Sequence, residues 1–111
     1  MASTAARVGY RYTAAYTASK HGLLGLTRAL ALEGAEKGVT VNAVAPGGID
    51  TPMGRFGFTD ESWNAHYQKN VPLRRAGQPE EVARAILFLV SDWGSYVTGH
   101  PLDVEGGLML R

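Results

Sequence analysis

The chain has 111 residues, an apolar fraction of 45% and a net charge of +1, the profile of one globular domain with a modest core. Interspersed lysines, arginines and acids leave no basic face for nucleic acid, and the lack of cysteine excludes disulfides, thiolate catalysis and cysteine-held metals. No run reaches the ~18 apolar residues of a membrane span, and MASTAARVGYRY lacks the apolar stretch of a signal peptide, so a cytoplasmic protein without membrane contact is expected.

Residues 1–11 read as a small, polar loop. From Thr13 to Glu36 the spacing of Leu23, Leu24, Thr27 and Leu30 predicts a helix, with Glu33 and Lys37 as a favourable pair and Gly38 as its stop. The same helix carries a stripe of small residues, Ala15, Ala18, Gly22, Gly25 and Ala29, which admits close approach of another helix, either within this chain or from a second subunit. Val39 to Val44 is short and β-branched, a strand ended by Ala45, Pro46, Gly47 and Gly48. Residues 51–58 read as loop, and Thr59 caps a short helix from Asp60 to about Lys69. Gln78-Pro79-Glu80-Glu81 opens another helix running to about Ser91, with proline at its first position and acids at the positive end of the dipole. A last strand, Pro101 to Val104, ends in Glu105-Gly106-Gly107. Two short strands separated by helices suggest a right-handed parallel crossover, one side of a larger α/β sheet.

Tyr16 and Lys20 lie one turn apart on one helix face, with Ser3 thirteen positions before the tyrosine. Bringing a phenol of pKa ~10 to neutrality takes roughly 4 kcal/mol. A lysine charge ~4 Å away supplies about that at an effective dielectric of ~20. The pair is a candidate proton-transfer device, although chance alone places one in roughly one such chain in seven. His21, next to the lysine, reads as pointing away from the Tyr16–Lys20 face, and His66 and His100 read as surface histidines without metal-like spacing, so no metal site is expected. Glu80 and Glu81 read as helix-start charges and Glu105 as a turn residue. Trp63, Tyr67 and Phe56 suit a core or a lid equally.

Four segments in order, AAYTASKHGLLGLTRALALE, VTVNAVAPGGIDTPM, PLRRAGQPEEVARAILFLVSD and YVTGHPLDVEGG, resemble the C-terminal half of the short-chain dehydrogenase/reductase family. The resemblance implies a partial Rossmann-like, doubly wound α/β fold over residues 1–111. It also implies NAD or NADP as cofactor and a catalytic set of Ser3, Tyr16 and Lys20. In the family the tyrosine exchanges a proton with the substrate oxygen, the lysine lowers the tyrosine pKa and bonds the nicotinamide ribose, and the serine holds the substrate oxygen. Tyr16, Lys20, Pro46, Gly47, the Ile49 backbone and Thr51 would then meet the cofactor, Thr51 serving equally as a turn cap. The run looks most like members acting on 3-oxoacyl or 3-hydroxyacyl compounds, with specificity around Gly48 and from Phe56 to Tyr67. Family members associate through the long helix and the last strand, which implies a homo-oligomer.

Several family features are absent from the sequence: the glycine-rich pyrophosphate loop, the residue that separates NAD from NADP, the Asn-Ala-Gly turn and the asparagine of the catalytic tetrad. Arg74 stands where a glycine often precedes the arginine matched by Arg75. Met1 therefore reads as an internal methionine of a longer frame or the start of a truncated product. The alternative to an oxidoreductase is a non-catalytic remnant that only self-associates.

Overall fold

A computed structural model describes residues 1–110. In chain order the elements are α1 (Ala14–Ala35), β1 (Ala43–Pro46), α2 (Pro52–Arg55), α3 (Asp60–Asn70), α4 (Pro79–Val90) and β2 (Pro101–Val104), with single 3-10 turns at Thr4–Ala6, Asp92–Gly94 and Leu108–Leu110. β1 and β2 form a parallel pair, Ala43 opposite Pro101 through Pro46 opposite Val104. Alternation along β1 assigns its two faces. Ala43 and Ala45 pack with Leu24 of α1 and with Ala2 and Ala6. Val44 turns the other way, onto Val82 and Leu89 of α4. A helix thus covers each face of a small parallel sheet, and a third cluster of Trp63, Tyr67, Val71 and Ala76 forms under α3.

The second edge of β1 is also engaged: the Ala2 amide donates to the Val44 carbonyl at 2.8 Å, which lays the first residues alongside the strand. Beyond that contact, a groove of about 690 Å³ runs between α1 and α4, lined by Met1, Leu23, Val44, Ile86 and Leu89 among others.

α1 and α4 fall within one residue of expectation, and β2 is as expected. The first strand does not: it spans Ala43–Pro46 rather than Val39–Val44. Gly38, at φ +70, closes α1 in a Schellman turn in which the Val39 amide donates to the Gly34 carbonyl. The Asn42 side chain then takes the place of ladder bonds, donating to the Val97 carbonyl and accepting from the His100 amide. Regular pairing starts only at Ala43. The loop expected at residues 51–58 contains α2, because the Thr51 hydroxyl accepts from the Gly54 amide and Pro52 occupies the first helical position. Within residues 1–11, Ser3 caps a 3-10 turn. The small-residue stripe of α1 is exposed throughout, so it packs against nothing in the described residues.

Arg74 adopts φ +57, the left-handed region that costs a side-chain-bearing residue about 1–2 kcal/mol. Its backbone is held there, the amide donating to the Val71 carbonyl and the carbonyl accepting from Gln68. Arg74→Gly keeps both bonds and relieves the strain, while the looser unfolded chain offsets part of the gain. The expected result is a stabilisation of about 0.5–1 kcal/mol in urea unfolding.

At the start of α4, both carboxylate oxygens of Glu81 accept from Arg75, and one also accepts from the Gln78 amide at 2.8 Å. The Arg75 guanidinium first, then that amide, holds the Glu81 carboxyl down at about 2, against an ordinary 4.5. A folded value below the unfolded one means the stabilisation is complete above about pH 4.5 and fades as pH falls towards about 2. Glu81→Gln keeps the shape without the titration, so its Tm should fall less steeply than wild type across that window.

Candidate active site

Ser3 enters the site from the sheet. Its backbone leaves the edge of β1, turns at Thr4–Ala6, and packs against α1. Its hydroxyl oxygen accepts from the Ala5 amide at 3.2 Å, which leaves its own proton to donate. The connection to α1 folds back on itself: the Tyr10 hydroxyl donates to Thr4 Oγ1 at 3.0 Å, and the Thr13 hydroxyl donates to the Tyr10 carbonyl.

Tyr16 and Lys20 follow in the first two turns of α1. The Lys20 ammonium stands 5.5 Å from the centre of the Tyr16 ring and donates to the Met1 carbonyl at 3.0 Å, two residues from Ser3. Lys20 thereby ties the helix to the segment carrying the serine, and its other two N–H donors make no hydrogen bond with the described residues. Tyr16 is half exposed, and its phenol makes no hydrogen bond with the described residues.

The third contribution comes from the end of β1. Gly47 donates to the Val104 carbonyl, and a Cβ there would lie 2.7 Å from that of Glu105. Only glycine lets the two strand ends run so close. Ile49 bridges to Gly77, and the Thr51 amide donates to the Ile49 carbonyl at 2.8 Å. Glu105 accepts from the Gly107 and Met109 amides, a turn residue as its sequence position suggests.

Between these parts and α3 lies a cavity of about 550 Å³, lined by Thr4, Tyr10, Gly48, His66, Tyr67 and Asn70 among others. His66 is exposed, as expected of a surface histidine, and also lines this cavity, edge-on against Phe58 and Tyr67. Trp63 is buried behind the wall, Tyr67 lines the cavity while otherwise buried, and Phe56 is exposed. Burial, then the nearby Asp50 carboxylate, pushes the Tyr67 phenol up. Asp50 is itself held low by hydrogen bonding from Arg55. Tyr10 had no sequence signal, since it reaches the cavity through a loop whose path depends on contacts with Thr4 and Thr13.

Lys20 joins the Tyr16 face of α1 to the segment before Ser3, and the cavity itself is walled by Thr4 and Tyr10, by Gly47 and Gly48 of the loop after β1, and by residues of α3. Ser3, Tyr16 and Lys20 carry the kinds of group, two hydroxyl donors and a cation, that can hold and protonate a substrate oxygen.

Known proteins resemble this chain over nearly its whole length. Residues 1–109 match the family described as Enoyl-(Acyl carrier protein) reductase. The 3-oxoacyl-[acyl-carrier-protein] reductase FabG of Buchnera aphidicola is 47% identical over 97% of this chain and 43% of its own length. The 3beta-hydroxysteroid dehydrogenase 1 of Eggerthella lenta is 44% identical over 93% of this chain and 40% of its own. Among solved structures, a short chain dehydrogenase family protein from Francisella tularensis superposes with a TM-score of 0.90 at 32% identity, covering 99% of this chain and 49% of that one. A 4-hydroxyisoleucine dehydrogenase mutant complexed with NADH and succinate gives 0.92 at 31% identity, covering 99% and 45%. The chain spans a little under half the length of these relatives. With a family match over nearly its whole length and a shared fold, the chain belongs to the short-chain dehydrogenase/reductase family.

Proposed function

We propose that this chain is the catalytic and substrate-binding part of an NAD(P)-dependent oxidoreductase that interconverts secondary alcohols and ketones, with 3-oxoacyl or 3-hydroxyacyl compounds as its substrate class. The observation that supports this most is Lys20, which stands over Tyr16 and reaches the Met1 carbonyl beside Ser3. The substrate class rests on likeness to the FabG reductase, whose name gives a 3-oxoacyl substrate.

In this reading Ser3, its oxygen already accepting from Ala5, donates its proton to the substrate oxygen. Tyr16 delivers a proton to that oxygen on reduction and removes it on oxidation. Lys20 offers its remaining N–H donors to the nicotinamide ribose. The residues on the cofactor side fit such a group: Gly47 is side-chain-free at a close strand approach, the Ile49 backbone follows, and the Thr51 hydroxyl, which accepts from Gly54, gives its proton only to a long 3.5 Å bond with the Ile49 carbonyl that a cofactor oxygen could replace. When bound, the nicotinamide supplies or accepts the hydride.

Calorimetric titration of the purified chain with NADH and NADPH, followed by turnover of acetoacetyl-CoA, tests the reading. Binding and turnover support it. No heat up to millimolar nucleotide means the chain alone is not an oxidoreductase and favours the self-associating remnant. Self-association through the exposed α1 stripe and β2 belongs to the same proposal, because Leu26 and Leu30 lie exposed beside Gly22 and Gly25. Sedimentation velocity should show a dimer or larger species that Gly25→Leu returns to monomer; a monomeric wild type ends that part.

A further inference from the structure

We propose that Arg55 is a positioning residue that fastens the helix walling the cavity to the loop assigned to the nicotinamide, so that the two move as one body. This rests on the proposed function for its catalytic meaning, but not for its geometry. Arg55 ends α2, and its fork reaches out of that element in three directions. Nε and Nη2 donate to the two carboxylate oxygens of Asp50, the second at 3.0 Å, on the loop just after Ile49. Nη1 donates to Asp60 at 3.0 Å, the first residue of α3. The guanidinium carbon lies 5.1 Å from the ring centre of Trp63, one turn further along.

The contacts continue inward from Trp63. That ring is buried and packs 4.6 Å from Tyr67, whose hydroxyl abuts Gly48. Gly48 in turn accepts from Gly77, and Gly77 accepts from the Asp50 amide. A closed circuit therefore runs from Asp50 through Arg55, Trp63, Tyr67 and Gly48 back to Asp50, and the cavity wall of His66, Tyr67 and Asn70 stands on it.

The Asp60 arm is a rim contact and contributes little, its side chain being almost wholly exposed. The two-pronged grip on Asp50 and the face-on contact with Trp63 distinguish Arg55 from an ordinary surface cation. A lysine could match the charge but not the planar fork. Arg55→Lys therefore separates positioning from simple charge.

Hydrogen–deuterium exchange of the 111-residue chain tests this without any need for turnover. In Arg55→Gln and Arg55→Lys alike, amides of α3 and of residues 48–51 should exchange about fivefold faster or more, with α1 and α4 unchanged. Faster exchange confined to α2, or an Arg55→Lys protein protected like wild type, overturns the proposal. If Arg55→Gln unfolds globally, seen as lost protection in α1 and α4, the milder Arg55→Lys decides alone. Where the acetoacetyl-CoA assay gives turnover, Arg55→Lys should raise KM about tenfold and leave kcat within about twofold, the signature of a misplaced binding wall. A fall in kcat at unchanged KM contradicts the positioning role. Absence of turnover in wild type strikes the proposed function and leaves the exchange result to judge the fork.

Discussion

Under the proposed function, Tyr16→Phe is expected to lower kcat for ketone reduction by about 10²–10⁴-fold, the contribution of a positioned general acid, while KM changes little. The size of the loss follows from what the hydroxyl is for. Its oxygen makes no hydrogen bond with the described residues and its side chain is half exposed. Removing it therefore leaves packing and Tm unchanged, and only the proton delivered to the substrate oxygen disappears. Ser3→Ala is a useful contrast, since it takes away both a donor to the substrate oxygen and the acceptor for the Ala5 amide. Its loss of activity, about 10²–10³-fold, should come with a Tm shift from the broken cap. Loss of reduced-nicotinamide absorbance with acetoacetyl-CoA measures both variants. A Tyr16→Phe protein turning over at the wild-type rate would remove Tyr16 from the chemistry, whatever its place beside Lys20.

The pairing of Tyr16 with Lys20 was legible because a helix converts a four-residue spacing into a shared face, and the α1 pattern made the helix plain. Capping signals served equally well. Thr59 and Ser62 bond reciprocally at the start of α3, and Glu81 folds back to the Gln78 amide at the start of α4. Reading by local pattern failed where distant partners decide. Val39 to Asn42 has the right residues for a strand, yet the Asn42 side chain brackets Val97 and His100 and defers the ladder to Ala43. The α2 turn is too short for any periodicity, although Thr51 and Pro52 carried its start signal. Asp50, Arg55 and Asp60 stood five residues apart in plain view, a spacing with no meaning on one helix. It gains meaning only because the segments on either side of α2 bring both acids to one guanidinium. Arg74 is the reverse case: the family comparison marked a glycine position, and its φ of +57 supplies the reason.

Gly48→Ala is expected to destabilise the chain by about 1–3 kcal/mol, the usual range for forcing an extra group into a packed region. Its backbone lies outside the left-handed region, so alanine meets no conformational penalty there and the effect is purely one of contact. A Cβ at Gly48 would fall 1.8 Å from the Tyr67 hydroxyl and 2.6 Å from the ring carbon bearing it. The ring cannot swing clear, because Trp63 and His66 pack on it and it is nearly fully buried. A double-mutant cycle isolates the contact. Tyr67→Ala alone should cost about 3–5 kcal/mol as a large-to-small change in a buried cluster. Adding Gly48→Ala to it should cost almost nothing further, because the group it would strike is gone. The expected coupling is therefore about 1–3 kcal/mol, read from urea unfolding midpoints at constant m-value. Additivity would mean that Tyr67 yields freely, and the wall of the cavity would then be soft where the Arg55 circuit requires it to be firm.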